Sequence, residues 1–244
     1  MEQQPGPVNW AKYNPIPVKG AVRLWSWEAF AHNAEVVSYF RWRQAPYAQE
    51  QMHAGLMYRD NTPAPGQEEA KQVSDELKKI EMPKTEQSPI ALVHDYEACW
   101  MTELDGQTHD FHYTRLLLDF YKAVRMNGGS LDIVGKNADF TGYKLVIVPS
   151  FVHFQEEDLQ RVIKSGAQIL AGPRTGNKTP DFQLPNELSL EGLGFQVRRV
   201  DALPRDLPVS VEWNGIKGNF SVWREHGLTS GISEGKASDD MAVL

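Results

Sequence analysis

Residues 143–172 read YKLVIVPSFVHFQEEDLQRVIKSGAQILAG, and this stretch decides the fold class. An apolar run, YKLVIVPS, is followed by an amphipathic segment over 155–166 and by a second apolar run over 167–172. A strand, a helix and a strand within 30 residues form the βαβ unit of a parallel sheet. The stretch therefore predicts an α/β fold.

The segments before this stretch extend the same sheet. PIALVHD (89–95) and GSLDIVG (129–135) predict two more strands, and residues 106–126 predict a helix between them. The inward face of that helix is predicted to hold Leu116, Leu117, Phe120 and Val124. Strands that alternate with helices at this spacing predict a doubly wound parallel sheet.

The sequence after residue 170 shows a less regular alternation of strand and helix patterns. AGPRTGNKTPDF (171–182) has glycines after a strand but lacks the Gly-Lys-Ser/Thr ending of a phosphate loop, so it predicts a surface loop. Beyond it, FQVRRV (195–200), VSVEW (209–213) and FSVW (220–223) predict short strands. SEGKASDDMAVL (233–244) shows no residue pattern that would end a helix or a strand, and another strand could begin at its end.

A different pattern occupies the N-terminal third of the chain. A helix is predicted over 20–32, a strand buried on both faces over 34–42, and an amphipathic helix over 66–80. The loops before and after the strand are long, and α/β barrels place their chemistry on such loops. The polar, proline-bearing segment 81–89 is the predicted domain boundary.

The composition excludes several classes of partner. A net charge of −7 and a pI near 5.5 argue against nucleic acid and against an anionic membrane surface. The single cysteine, Cys99, leaves no intramolecular disulfide and no thiolate cluster for zinc. The first twenty residues show no signal peptide, and no apolar run approaches the ~18 residues of a membrane span. We therefore expect a cytoplasmic protein with no bound metal or cofactor.

The first candidate for chemistry is Glu2, because paired carboxylates carry out glycoside hydrolysis. Taken alone it is one of 32 acidic residues at a chain terminus. Trp10, Phe40 and Trp42 offer aromatic faces on which a sugar could stack, or they pack in a core. Core packing is favoured for the two tryptophans of the predicted helix, Trp25 and Trp27.

The loop RWRQAPYAQEQMHAG (41–55) concentrates polar residues after the buried strand. Glu50 and His53 lie three residues apart, so both could face one side of a helical turn. Two ligands are too few for a zinc site, which favours binding of hydroxyl groups. The alternative is a solvated polar loop.

A thiol site is the competing candidate for chemistry. Cys99 with His94, His109 and His112 resembles parts of the triad of an amidotransferase-like enzyme. The surrounding EACWM lacks the glycines of a strained nucleophile turn. The sequence therefore favours an inert thiol, and slow alkylation of Cys99 would remove this alternative.

Two long stretches resemble a known family. MEQQPGPVNWAKYNP (1–15) and VRLWSWEAFAHNAEVVSYFRWRQAPYAQEQMHAGL (22–56) closely resemble glycoside hydrolase family 42, the bacterial β-galactosidases. Residues 89–185 are similar to the second domain of that family, a flavodoxin- or class I glutaminase-like module used in trimer formation. The resemblance implies the last two βα units of a TIM barrel over 1–81. It implies a doubly wound α/β domain over 88–244, truncated at its C-terminal end.

The resemblance also implies roles for five residues. Glu2, in MEQQPG, matches the catalytic nucleophile of a retaining β-galactosidase. Trp10 and Phe40 match aromatic residues that line the galactose site. Glu50 and His53 match positions that bind the galactose hydroxyls. The implied substrate is a β-galactoside, and the implied assembly is a homotrimer.

The chain departs from the family in what it contains. The family's general acid/base, in an Asn-Glu pair at the end of barrel strand four, would lie upstream of Met1, so we expect an internal fragment that is inactive alone. We expect residues 1–80 to be poorly ordered or sticky in isolation, and residues 88–182 to fold alone. The alternative function is a non-catalytic α/β module that self-associates or binds a partner.

Overall fold

A computed structural model describes residues 1–47, 49–82, 84–186, 188, 190–204, 206–213, 215–229 and 241–243. The chain divides into two compact units, Met1–Glu86 and Gln87–Leu244. Among the helices in these described ranges, none combines the length and the apolar character needed to cross a membrane.

The first unit contains two strands and two helices in alternation. They are β1 (Glu2–Gln3), α1 (Ala21–Ala31), β2 (Ser38–Tyr39) and α2 (Pro65–Leu77). The strands are parallel, with Glu2 opposite Ser38, and the Phe40 amide donates to the Gln3 carbonyl at 2.9 Å. The first unit therefore consists of two adjacent βα units.

The strand predicted over 34–42 is shorter and less buried than the sequence indicates. Only Ser38–Tyr39 forms a strand, and the Val36 side chain is 64% exposed. The prediction of burial on both faces was wrong. The physical reason is that, within the described residues, β2 pairs with β1 alone, so no further sheet covers it.

The two helices of the first unit are joined by carboxylates of α2. Glu69 accepts from the backbone amides of Gly20 and Arg23 at 2.7 and 2.9 Å. These are N-terminal amides of α1, whose N-cap, Gly20, has no side chain to satisfy them. Glu76 accepts from Arg23 Nε at 3.0 Å and from the Trp27 indole at 2.7 Å. Trp27 is therefore part of the helix packing.

The second unit opens with a parallel sheet. Its elements are β3 (Ile90–Val93), α3 (Tyr96–Leu104), α4 (Tyr113–Met126), β4 (Leu131–Val134), β5 (Leu145–Val148), α5 (Glu156–Ser165) and β6 (Gln168–Ala171). All pairings in this sheet are parallel, and the strand order is β4-β3-β5-β6. This order is the one found in doubly wound α/β folds, with a topological switch point between β3 and β5.

The core of the second unit lies around this sheet. Alternate residues of β3 and β5 are buried together with side chains of α4, α5 and the loop after β5. They are Ala91, Val93, Tyr113, Val146, Val148, Phe151, Phe154, Leu159 and Val162. The apolar runs at 90–93 and 145–148 that predict these strands therefore form the inside of the fold.

The helix predicted over 106–126 begins later than expected, and a second helix that the sequence did not predict precedes it. α3 ends at Leu104 and α4 begins at Tyr113. The start of α3 is fixed by Asp95, whose side chain accepts from the Ala98 amide at 2.8 Å and caps the helix. The predicted inward face of α4 is only half-buried: Leu116, Leu117, Phe120 and Val124 all keep part of their surface exposed.

The loop at 171–182 is not the surface loop that its composition predicts. Residues 172–178 are all buried. Their backbone bonds to the loop after β5, with Gly176 N donating to Phe151 O at 3.1 Å and Lys178 N to Val152 O at 2.8 Å. The Lys178 ammonium is paired with Asp105 at 2.8 Å, which makes its burial tolerable.

Antiparallel strands complete the second unit. They are β7 (Phe195–Ala202), β8 (Val209–Trp213), β9 (Ile216–Phe220), β10 (Trp223–Thr229) and β11 (Met241–Val243). β8 pairs with β9, and β10 lies between β7 and β11. The predicted strand FSVW spans a break, since β9 ends at Phe220 and β10 begins at Trp223. Residues 233–240 of the C-terminal stretch lie outside the described residues.

Candidate functional site

The loops that follow β1 and β2 meet in the first unit. The Ala54 amide donates to the Pro7 carbonyl at 2.9 Å, which joins the second loop to the first. Gly66, at the start of α2, approaches so closely that a Cβ there would lie 1.9 Å from the Pro5 oxygen. Only glycine fits at this contact. The carboxyl ends of the two parallel strands thus share one loop assembly.

Four side chains of the second loop form the Arg41 cluster, defined as Phe40, Arg41, Glu50 and His53. Arg41 Nη2 lies 3.0 Å from Glu50 Oε2, and the guanidinium lies 4.6 Å from the Phe40 ring centroid. The rings of Phe40 and His53 meet edge to face at 5.1 Å. The peptide bond between Phe40 and Arg41 is cis.

Buried polar atoms around this cluster lack hydrogen-bond partners. His53 is 5% exposed, and neither ring nitrogen has a partner within the described residues. Arg41 Nε in the cluster and Asn9 Oδ1 in the first loop are also buried without one. Native proteins rarely leave such groups unpaired, because each costs about 1–3 kcal/mol. These atoms are therefore available to a polar ligand.

The structure assembles three of the five residues that the family resemblance selects. Arg41 contacts both Phe40 and Glu50, and Phe40 in turn contacts His53. The His53 amide also bonds to the Glu50 carbonyl at 3.0 Å, although the Glu50 side chain turns to Arg41 rather than to His53.

The other two residues lie on the first strand and its loop. Glu2 is exposed on β1, in register with Ser38, two residues before Phe40. Trp10 is 69% exposed in the first loop. Within the described residues, neither side chain contacts the Arg41 cluster. The structure therefore shows where Glu2 and Trp10 lie along the chain but does not bring them into one site with the cluster.

Arg41 and Asn9 are additional polar groups that the resemblance does not select. Arg41 was visible in the sequence as one of several charged residues in the loop, and Asn9 as the residue before Trp10. Their shared feature is burial of polar atoms, which no spacing pattern reveals. Arg41 also lines an open cleft of about 1050 Å³, together with Trp42 and Glu50.

The alternative thiol site is not assembled. Cys99 lies on α3, and its Sγ contacts the Glu103 carboxylate at 3.5 Å. Burial raises the pKa of the Cys99 thiol, and Glu103 raises it further, whereas an activated nucleophile needs a lowered one. His94 bonds through Nδ1 to the Tyr113 hydroxyl at 3.3 Å. The chain shows no activated thiolate at this position.

The comparisons with known proteins agree on one class, the glycoside hydrolases. Residues 1–80 match a family model of glycoside hydrolase family 42, described as β-galactosidase. Residues 88–235 match a second model, described as the β-galactosidase trimerisation domain. Because the second match alone covers more than half of the chain, the chain belongs to the family 42 β-galactosidases.

Individual relatives agree with this assignment. The β-galactosidase BgaA of Thermus sp. is 50% identical over 231 residues, which cover 92% of this chain and 36% of the relative. The crystal structure of a β-galactosidase from the psychrophilic Marinomonas ef1 aligns with a TM-score of 0.88 and 42% identity, over 94% of this chain and 37% of that one. The β-galactosidase of Halorubrum lacusprofundi aligns with a TM-score of 0.86 and 36% identity, over 94% of this chain and 35% of that one. The chain thus spans just over a third of the length of these relatives.

Proposed function

We propose that this chain is the part of a retaining β-galactosidase that carries the nucleophile, Glu2, and the sugar-binding loop after the next strand. The observation that carries the proposal is the parallel pairing of β1 with β2. Glu2 lies on β1, and the Arg41 cluster begins directly after the neighbouring strand, β2. Consecutive parallel strands with active-site loops at their carboxyl ends are the arrangement of an (β/α)₈ barrel.

The proposed reaction is a double displacement. The Glu2 carboxylate attacks the anomeric carbon of the galactoside, and the glycosidic C–O bond breaks as an acid protonates the leaving oxygen. Water then attacks the galactosyl ester, the same acid acting now as a base, and releases galactose and free Glu2. Phe40 and Trp10 would bound the sugar, while Glu50 and His53 would bind its hydroxyls.

The Arg41 cluster suits the sugar-binding role. Arg41 holds the Glu50 carboxylate by a charge-assisted bond, which leaves the second carboxylate oxygen free to accept from a hydroxyl. The unpartnered nitrogens of His53 offer one donor and one acceptor in the neutral imidazole. A galactose hydroxyl can both donate and accept, so it could satisfy either atom.

The 244 residues are proposed to be inactive by themselves. The family resemblance puts the general acid/base before residue 1, and loss of such a group costs roughly 10²–10⁴-fold in rate. A strand pair with open edges also cannot hold Glu2 and the second loop against a sugar as a closed barrel does.

A chimera tests the proposal. In it, this chain replaces the matching segment of the Thermus sp. β-galactosidase, and hydrolysis of an aryl β-galactoside is measured. We expect activity, and a loss of roughly 10⁴-fold or more for Glu2→Gln. The matched control is Glu35→Gln, which removes an exposed acid just before β2. An active chimera that tolerates Glu2→Gln as well as Glu35→Gln would contradict the role of Glu2.

Oligomerisation through the second unit is a further part of the proposal. The family model that matches residues 88–235 is described as a trimerisation domain. The half-buried apolar face of α4, which includes Leu116 and Phe120, offers surface for a second copy. Sedimentation velocity should give a species of three times 27.6 kDa. A monomer at every concentration would contradict this part.

A further inference from the structure

A second cluster of polar side chains lies in the second unit, away from the candidate sugar site. Asp95 follows β3 and caps α3, Glu97 lies in the first turn of α3, and His153 follows β5. One ligand atom from each of the three lies within 4.8 Å of the others. β3 and β5 flank the switch point of the sheet, where doubly wound folds bind their ligands.

The His153 imidazole is buried and unsatisfied. The residue is 7% exposed, and neither ring nitrogen makes a hydrogen bond within the described part of the chain. Nε2 nevertheless points into the cluster, 3.3 Å from Glu97 Oε2 and 3.7 Å from Asp95 Oδ1. The first distance lacks the alignment of a hydrogen bond. A buried ring nitrogen and two carboxylates therefore converge on one point, and all three are groups that bind metal cations.

We propose that Asp95, Glu97 and His153 form a binding site for a divalent transition-metal cation such as Zn²⁺. Imidazole nitrogen and carboxylate oxygen are both ligand types that Zn²⁺ accepts, and water would complete the coordination. The site concerns the second unit only and does not depend on the β-galactosidase proposal.

Lys136 is the competing cation. Its ammonium lies 3.1 Å from Glu97 Oε2 and 4.0 Å from Asp95 Oδ2. The side chain is 32% exposed, so it can swing into solvent when a metal ion binds. In this structure, Lys136 therefore occupies the position beside the two carboxylates that a metal ion would take.

Isothermal titration of the full chain with Zn²⁺ alone tests the proposal. We expect one site that weakens about tenfold or more in Glu97→Gln and in His153→Gln, since each variant removes a ligand. Lys136→Met should bind Zn²⁺ more tightly than the wild type, because the competing ammonium is gone. Glu157→Gln is the matched control, an exposed glutamate in the first turn of α5.

The Glu97→Gln variant should still fold, because the Glu97 side chain is 51% exposed. A loss of Zn²⁺ binding in this variant would therefore not result from unfolding. If the wild type and Lys136→Met both fail to bind Zn²⁺, the proposal is overturned. It is equally overturned if Glu97→Gln and His153→Gln bind Zn²⁺ as tightly as Glu157→Gln does.

Discussion

The two units of the chain differ in how many apolar side chains they bury. The second unit has a sheet of four parallel strands, and Leu92 of β3, Val146 of β5 and Leu159 of α5 have no exposed surface. In the first unit each strand is two residues long, and the buried apolar side chains are few. They are Val8, Val22, Ala29, Ala64 and Val73.

The same contrast holds at the surface. The first unit leaves large apolar side chains exposed, among them Trp10 at 69%, Ile16 at 79%, Val18 at 79% and Trp42 at 67%. The comparison indicates that the second unit closes a core of its own, whereas the first unit buries little apolar surface within itself.

Hydrogen exchange of the full chain measures the difference in stability between the two units, and here we expect the largest effect. Amides of β3 and β5 should exchange roughly a thousandfold more slowly than the Ser38 and Phe40 amides, because only the central strands open by global unfolding. Mass spectrometry of peptic peptides after timed labelling measures the difference. Equal protection of the two strand sets would show that the first unit is a self-sufficient fold.

Truncation of a buried side chain tests how much the sheet of the second unit contributes to stability. Leu92→Ala should destabilise the second unit by about 2–5 kcal/mol, because Leu92 is fully buried in β3. Urea unfolding measures the loss. The control is Leu104→Ala at the end of α3, where the side chain is 85% exposed and the expected change is within about 0.5 kcal/mol. Equal effects of the two variants would mean that the sheet core is not the source of stability.

A buried carboxylate gives the smallest expected effect. Burial raises the pKa of Glu225, although bonds from the Trp223 indole and the Arg174 amide oppose the shift. A folded pKa above the unfolded one means that stability is fully present below about pH 4.5 and declines as pH rises through the folded pKa. Glu225→Gln should remove this decline.

Thermal unfolding between pH 4 and pH 7 measures it. The melting temperature of Glu225→Gln relative to the wild type should rise with pH, by an amount on the order of 1 kcal/mol in stability. Glu212→Gln, at an exposed position of β8, should show no such trend. A difference that stays flat or falls with pH would contradict the assignment. Among the described residues, the first unit buries no carboxylate of this kind.

Much of the second unit could be predicted from local patterns. Apolar runs such as LVIV at 145–148 and the capped, strongly amphipathic α5 carry their structure in adjacent residues. α3 was missed because its signal is one capping bond from Asp95, and the loop at 172–178 because its burial depends on contacts with the loop after β5. Such contacts are set by tertiary structure and leave no local signature.

The candidate site was predictable only through the family resemblance. Composition alone makes Glu2 an ordinary terminal acid, and the Glu50–His53 spacing suggests a direct pair where the structure has an Arg41–Glu50 bond. The unpartnered nitrogens of His53 became visible only with the fold. Burial of polar atoms depends on how two loops meet, so spacing along the chain does not encode it.

Covalent trapping is the most direct test of the central claim, that Glu2 is the nucleophile. The chimera with the Thermus sp. relative is treated with a 2-deoxy-2-fluoro-galactoside bearing an activated leaving group, which slows hydrolysis of the galactosyl-enzyme more than its formation. Peptide mapping by mass spectrometry then locates the sugar. We expect one labelled peptide, with the fluorosugar esterified to Glu2. A label on any other carboxylate, in an active chimera, would contradict it.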